Sequence, residues 1–257
     1  MGRRMDWNGR HVWVVGGGSG IGRALALALA ERGAVVTASA RGDAALERLA
    51  TEASTHGARI IPLPLDVGEP SELRAGWARL CAERGAPDAV IYCAGAWEPA
   101  SLERLDAALD TQVAANFTGL VRVAALAVPA MRERGEGLLV GFSSASALLA
   151  LPRAEVYGAT KSAATYFLRS LRLDLRSSGV RVVTVHPGFV RTPLTERNDF
   201  AMPALLEPEQ AVIAVLRGIE RGRAQVDFPR RLLWPIKLAA ALPRPLGEWL
   251  VARIFRR

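Results

Sequence analysis

Five glycines in seven residues, Gly16-Gly17-Gly18-Ser19-Gly20-Ile21-Gly22, separate the apolar run His11–Val15 from an amphipathic, helix-like run over Arg23–Arg32. Few folds put so glycine-rich a turn between a buried strand and a helix. Glycine serves such a turn by allowing the tight bend, the close approach of backbone to a pyrophosphate, and the packing of helix on strand. The helix that opens next offers free N–H groups and the positive end of its dipole to an anion. Gly16, Gly18, Ser19, Gly20, Ile21 and Gly22 are therefore candidate phosphate-binding residues. The spacing is G-x-x-x-G-x-G through Gly16, Gly20 and Gly22, and no start point satisfies the better-known G-x-G-x-x-G. A glycine-rich turn that binds nothing is the bland alternative.

The same alternation continues along the chain. Ala34–Ala40 reads as a second strand, with Asp43 a candidate N-cap for a helix over Ala44–Ala53. Arg59–Leu65 is a third strand closed by Asp66, a helix runs from Ser71 to Arg84, and Ala89–Tyr92 is the fourth strand. A long helix is expected over Leu109–Met131, then a strand at Gly137–Phe142, a helix at Glu155–Ser177 and a strand at Val180–Val185. Pro187–Pro208 has little pattern. Glu209–Arg221 is a helix, Ala224–Phe228 a seventh strand, and Leu232–Phe255 is helical around Pro235 and Pro243.

Strands alternating with helices of this length predict an α/β fold: a Rossmann-type, doubly wound, seven-stranded parallel sheet with helices on both faces. At 257 residues and 50% hydrophobic content the chain can bury one large core, and no linker or repeat divides it. One dinucleotide-binding and catalytic domain is expected over residues 1–229, with a substrate loop at 187–208 and an extension of the same domain at 230–257.

The spacing of the glycine turn resembles that of the short-chain dehydrogenase/reductase family, which usually carries threonine where Val15 stands. The resemblance runs over residues 8–228 through six motifs in order. It implies that Asp66 and Val67 meet an adenine ring and that Cys93-Ala94-Gly95, with cysteine for the family's asparagine, walls the cofactor. It also implies that Pro187, Gly188, Val190 and Thr192, in Pro187–Thr192, meet a nicotinamide carboxamide.

The choice of nicotinamide cofactor follows from the end of the second strand. NAD sites place an acid there for the ribose 2′-OH, but Ala40 occupies that position and Arg41 follows. A guanidinium binds a 2′-phosphate by charge-assisted hydrogen bonds where a carboxylate would repel it. NADP(H) is the expected cofactor; Arg41 as a solvated loop cation is the alternative.

Tyr157-Gly158-Ala159-Thr160-Lys161 sets a phenol and an ammonium one turn apart on one helix face. A free tyrosine, with a pKa of about 10, is a poor base at neutral pH. A neighbouring ammonium and an oxidised nicotinamide would favour the phenolate and bring that value down. Y-x-x-x-K alone is a weak signal. Ser144 lies thirteen residues upstream of Tyr157, which is the family's active-site spacing. The resemblance implies that Ser144, rather than Ser143, polarises the substrate carbonyl. It implies too that Asn116, in Asn116-Phe117-Thr118-Gly119, holds a water in a proton relay with Lys161. His186 reads as completing a turn.

The mechanism so implied is hydride transfer between the nicotinamide and a carbonyl or carbinol carbon while Tyr157 transfers the proton. Lys161 lowers the phenol's pKa and holds the ribose hydroxyls. A catalytically silent NADP-binding regulator is the rival reading.

Ala96–Ser101 with Trp97, Ala147–Arg153 and Phe189–Leu206 are candidate substrate walls, apolar enough for an apolar, lipid-like carbonyl or alcohol. Arg153, Arg191 and Arg197 either hold a substrate carboxylate or phosphate or are solvated. The family's usual dimer implies that Leu109–Met131 and Glu155–Ser177 meet their symmetry mates through small residues such as Ala124, Ala125, Ala127, Ala163 and Ala164. A homodimer or homotetramer is expected.

Of the net charge of +8, residues 230–257 supply seven basic residues against the single acid Glu248. The body is near neutral, so a nucleic-acid surface is not indicated. Leucine, tryptophan and arginine interleaved in that tail suit an interfacial helix on an anionic bilayer, a lid on the domain, or an arm around a second subunit. A membrane-associated lipid-binding protein is the corresponding non-enzymatic reading. Two cysteines (Cys81, Cys93), no signal-like N-terminus and no run of eighteen uncharged apolar residues lead to a cytoplasmic expectation, at most peripheral to the inner face of a membrane. Three histidines far apart give no metal-ligand spacing, and no metal is expected.

Overall fold

The computed structural model describes residues 5–98, 106, 109–243, 245–247, 249 and 253. Its strands are β1 (His11–Val15), β2 (Val35–Ser39), β3 (Ile60–Pro62), β4 (Ala89–Tyr92), β5 (Gly137–Phe142), β6 (Val180–Pro187) and β7 (Gln225–Phe228). They form one parallel sheet in the order β3-β2-β1-β4-β5-β6-β7. The order reverses between β1 and β4, and open α/β sheets bind ligands at the carboxyl ends of strands at such a reversal. β3 is shorter than Arg59–Leu65 because Pro62 and Pro64 have no N–H to donate. Leu63 N and Leu65 N still reach the carbonyls of Ala38 and Ala40, at 2.9 and 3.1 Å.

Both faces of the sheet are buried, as apolar parallel strands require. Val12 and Val14 of β1 point to one layer, formed by α1 (Gly20–Ala30), α2 (Asp43–Thr55) and α7 (Pro208–Glu220). Trp13 and Val15 point to the other, formed by α3 (Pro70–Arg84), α5 (Gly119–Arg134) and α6 (Glu155–Asp174). Asp43 opens α2 as a first-turn acid rather than capping it; Gly42 is the cap residue.

The single helix expected over Leu109–Met131 is interrupted. α4 (Leu109–Val113) passes into one π-helical turn, Ala114–Thr118, before α5 resumes and runs on to Arg134. A Cβ on Gly119 would lie 2.3 Å from Tyr92 Oη, so only glycine lets the helix sit this close to β4. Tyr92 Oη donates to the Ala115 carbonyl inside the widened turn, at 2.7 Å. Together Leu109–Arg134 spans 26 residues and contains an 18-residue window with a mean hydropathy of 1.5, enough by length and composition to cross a membrane. Leu120, Val123, Ala127 and Met131 are nonetheless buried against the sheet, and Arg122 donates to the Gly68 carbonyl at 2.9 Å. That is the packing of a sheet-covering helix.

After the cis Phe228–Pro229 peptide comes α8 (Arg230–Ala241), with Pro235 inside it. Leu233 and Ala239 are buried. Leu232 Cδ2 lies 2.6 Å from where a Cβ on Gly188 would stand, so the glycine makes the seat for this helix. The helix expected over Leu232–Phe255 therefore stops at Ala241, and helical backbone resumes at 245–247. Residues 249 and 253 are helical as well, and the remainder of that expectation, including Arg244 and Phe255, lies outside the described residues.

Candidate active site

The ends of β1 and β2 fix the glycine turn. Gly16 N and Gly17 N both donate to the Ser39 carbonyl, at 2.7 and 2.9 Å, and Trp13 Nε1 donates to Ser39 Oγ at 2.8 Å. Gly16 and Gly20 have φ of +88° and +52°, a region side chains disfavour. A Cβ on Gly16 would lie 2.5 Å from Ala94 N, and one on Gly20 2.8 Å from Thr192 Cγ2, so the loop after β6 closes directly onto the turn. Ser19 precedes α1 without a side-chain capping bond. The N–H groups of the first turn are left for another partner.

Gly16, Ser19, Gly20, Ser39, Ala94 and Thr192 line a cavity of about 1000 Å³. Every candidate cofactor and catalytic residue from the sequence lines it except Asn116. Arg41 is exposed at its edge and, among the described residues, pairs with no acid. Asp66 Oδ1 accepts from Gly68 N at 2.7 Å, which shapes the turn after β3.

Ser144 and Tyr157 both line the other end of the cavity, close enough for the serine to pull the phenol's pKa down, and Ser144 Oγ accepts from Ser146 N at 3.2 Å. Ser143 turns the other way: its Oγ donates to the Lys161 carbonyl at 2.8 Å and lies 2.7 Å from Thr165 Oγ1. Lys161 Nζ donates to the Phe142 carbonyl at 3.1 Å and stands over the Tyr157 ring, 5.7 Å from its centroid. Burial holds the Tyr157 phenol above its ordinary pKa, with Ser144 pulling weakly down. Burial also lowers Lys161 to about 8. The expected lowering of the phenol involves the oxidised nicotinamide as well as Lys161; in the protein alone, burial sets the direction. The Lys161 ammonium sits over the ring face, and desolvation of the phenolate wins.

Asn116 sits in the π-helical turn, buried. Its Oδ1 accepts from Ala96 N at 2.9 Å, and its Nδ2 donates to Ala96 O at 2.9 Å and Thr160 Oγ1 at 3.1 Å. Both ends of the amide are engaged by protein, so it acts as a clamp between the end of β4 and α6.

Trp97 packs edge-on against Tyr157, ring centroids 5.1 Å apart, and its Nε1 donates to Asn198 Oδ1 at 2.9 Å. Residues 99–101 of the Ala96–Ser101 wall lie outside the described residues. Leu149, Leu151, Phe189 and Phe200 continue the apolar lining, and α8 adds Leu232, Pro235, Ile236 and Ala239. Arg153 pairs with both carboxylate oxygens of Asp199, at 2.8 and 3.2 Å, and Arg191 Nε with Glu207 at 2.9 Å. Both arginines tie loops together through solvent-exposed ion pairs, which agrees with the solvated reading and gives each a protein carboxylate as partner. The Arg197 side chain lies outside the described residues.

His186 lies in β6 and is buried rather than completing a turn. Its Nε2 is 3.1 Å from Thr165 Oγ1 and its Nδ1 3.0 Å from Asp227 Oδ1, and Asp227 also pairs with Lys237 of α8. Burial alone would raise the Asp227 carboxyl, but hydrogen bonds from His186 and Lys237 outweigh it and hold the group at about 2. A polar chain therefore runs from the backbone of Lys161 through Ser143, Thr165, His186 and Asp227 to α8. Nothing in the spacing of these residues announces it.

A parallel sheet with a glycine turn at its point of reversal and a Ser–Tyr–Lys cluster across the same cavity defines a Rossmann-type oxidoreductase. The family model for short chain dehydrogenases matches residues 10–201. The chain is 38% identical over 250 residues to an uncharacterized oxidoreductase of Myxococcus xanthus, covering 95% of this chain and 97% of that one. It is 36% identical over 246 residues to an uncharacterized oxidoreductase of Streptomyces coelicolor, covering 94% and 96%. Among solved structures it resembles a short-chain dehydrogenase from Sphingobium yanoikuyae in complex with NADPH, with a TM-score of 0.80, 25% identity and 96% of each chain covered. The chain belongs to the short-chain dehydrogenase family.

Proposed function

We propose that the protein is an NADP(H)-dependent reductase of an apolar, lipid-like carbonyl compound, or a dehydrogenase of the corresponding alcohol. The observation that carries this reading is the Ser144–Tyr157 pair beside Lys161, on the wall of the cavity lined by the glycine turn and Arg41. The residues fit the cofactor. Gly16 and Gly18–Gly22 form a cradle that Cβ atoms would fill, the first turn of α1 has no side-chain cap, and Arg41 suits a 2′-phosphate. The NADPH complex of the Sphingobium yanoikuyae relative supports the same choice. By resemblance to the family, Asp66 and Val67 meet the adenine, Cys93–Gly95 the cofactor's flank, and Pro187, Gly188, Val190 and Thr192 the nicotinamide end.

When bound, the nicotinamide supplies the hydride that reduces the carbonyl carbon. The hydroxyls of Ser144 and Tyr157 hold the carbonyl oxygen, and Tyr157 gives it the proton that completes the alcohol. Lys161, anchored on the Phe142 carbonyl, sets the electrostatics of the phenol. Asn116 holds the end of β4 against α6 so that these groups keep their spacing.

NADPH oxidation measured against carbonyl compounds of graded chain length tests the reading, with rates expected to rise as the chain lengthens. No turnover across the panel would leave the silent regulator. Ala40→Asp combined with Arg41→Ala is expected to move cofactor preference toward NADH by about 1–3 kcal/mol, the scale of a charge-assisted hydrogen bond. A wild-type enzyme that already prefers NADH would remove the Arg41 assignment.

The same reading takes the protein as a homodimer. Tyr166 and Leu173 on α6 are 78% and 72% exposed, an apolar pair on an outward face. Ala124, Ala127 and Ala164, three of the small residues expected at that contact, are buried against the sheet instead. Tyr166→Glu with Leu173→Glu should turn a dimer into a monomer in light scattering at micromolar concentration, and a monomeric wild type would contradict the assignment. Residues 1–229 form the catalytic unit in this reading. The 230–257 extension belongs to it and brings a cytoplasmic protein into peripheral contact with the inner face of a membrane.

A further inference from the structure

We infer that α8 is a two-sided helix whose inner face closes the substrate cavity and whose outer face docks on an anionic lipid bilayer. An apolar substrate then reaches Tyr157 from the bilayer rather than through water. The route rests on the reductase reading; the docking does not.

The inner face is set by Leu232, Pro235, Ile236 and Ala239, all on the cavity wall. The outer face carries Trp234, Leu238 and Leu242, which are 59%, 64% and 43% exposed, and Leu246 and Trp249 continue the apolar exposure. Trp234 and Leu238, four residues apart, share one stripe of the helix, and Leu242 stands just past its end. A helix that merely covers a domain turns its polar residues outward; this one turns out tryptophan and leucine.

Charge says what covers the stripe. Arg230 and Arg231 are exposed at the start of α8, and the Arg253 guanidinium stands 5.5 Å from the centre of the Trp249 ring. The whole stretch 230–257 has seven basic residues and one acid. A second copy of the chain is a poor partner, because a two-fold contact would set this surplus of arginine against itself. Tryptophan and leucine flanked by arginine match the boundary of acyl chains and anionic headgroups.

The position of the cavity mouth then gives the docking a use. Arg231 and Pro235 are exposed and also line the cavity, and so does Phe200, 38% exposed on the facing loop. The rim of the mouth is therefore continuous with the stripe. Lys237 on Asp227 and Leu232 on Gly188 fix α8 to the body, so the stripe is displayed without prior ordering of the helix.

Flotation of the full protein with vesicles of phosphatidylcholine, alone or mixed equally with phosphatidylglycerol, tests the docking. The comparison variant is Trp234→Glu with Leu238→Glu, two residues off the cavity wall, with folding checked by its melting temperature. Wild type should float with the anionic vesicles, less at high salt, and the variant should bind them roughly tenfold or more weakly. With NADPH, the variant should reduce a short water-soluble ketone at the wild-type rate but lose rate on a long-chain carbonyl presented in anionic vesicles. Absence of flotation by the wild type, or equal flotation by the variant, overturns the proposal. So does a loss of subunit association in the variant with neither protein floating, which would make the stripe a contact between copies. Flotation without turnover of any carbonyl upholds the docking and removes the reductase reading.

Discussion

Tyr157→Phe is expected to lower the rate of carbonyl reduction by roughly 10²–10⁴-fold, the usual contribution of a positioned proton donor, while NADPH affinity stays close to wild type. The substitution removes one oxygen and keeps the ring. Trp97 retains its edge-on partner at 5.1 Å and Lys161 its place over the ring at 5.7 Å. Lys161 Nζ still donates to the Phe142 carbonyl, so the cofactor side of the cavity is untouched. Ser144 remains to hold the carbonyl oxygen, but it lies on a turn with no base behind it. Wild-type kcat in the variant would refute the assignment of Tyr157 as proton donor.

A pH profile separates the two partners of this cluster. Burial keeps the Tyr157 phenol protonated to higher pH than usual, so it remains a donor across the working range. Lys161 titrates first, near 8. The kcat/KM for NADPH, which reports groups of the free enzyme, should therefore fall as pH rises through about 8 and the ammonium is lost. The stability effect has the opposite sign. The folded value lies below the ordinary 10.5, so between about 8 and 10.5 the unfolded chain binds the proton and the folded one does not. This group's destabilising contribution fades as pH rises through that window. A profile that stays level through it would reject the shift.

The sheet was legible in the sequence because parallel strands buried on both faces are apolar runs, and the turns between them must carry glycine, an acid or proline. The cavity residues were legible as motifs at the carboxyl ends of those strands. What escaped depends on contacts between distant segments. The π-helical turn at Ala114–Thr118 follows from Gly119 packing under Tyr92 Oη, and helical periodicity carries no trace of it. His186 and Asp227 become neighbours only through the register of β6 on β7, which sets them opposite one another. The Arg153–Asp199 pair joins residues 46 apart in the chain. The desolvation of the Tyr157 hydroxyl in the protein alone escaped for a related reason. An i, i+4 spacing gives the distance along the helix, but not that the ammonium would stand over the ring while the hydroxyl was desolvated.

Gly22→Ala should have the largest structural effect of any methyl group added to the site. Gly22 stands in the first turn of α1, where intrinsic preference favours alanine over glycine by about 1 kcal/mol. Packing overrides that preference. The new Cβ would lie 2.1 Å from Gly16 O, 2.9 Å from Gly16 C and 3.1 Å from Cys93 Cβ, and the first two are backbone atoms that cannot rotate away. Gly16 cannot retreat either, because its N–H is bound to the Ser39 carbonyl at 2.7 Å and Ala94 N lies 2.5 Å from its own Cβ position. The helix must therefore lift off the turn. Overpacking of this kind costs about 1–3 kcal/mol or more, and the N–H groups of the first turn move with the helix. NADPH affinity should fall roughly 100-fold, the loss of one or two charge-assisted hydrogen bonds of about 1.5–3 kcal/mol each. Gly42→Ala is the control for added bulk, since its Cβ would meet nothing within 4 Å; as the N-cap of α2 it should cost up to about 1 kcal/mol of stability and leave binding alone. Fluorescence titration with NADPH and thermal melts of both variants read the difference. If Gly22→Ala melts and binds like the wild type, the packing of α1 onto the glycine turn is not what holds the phosphate site.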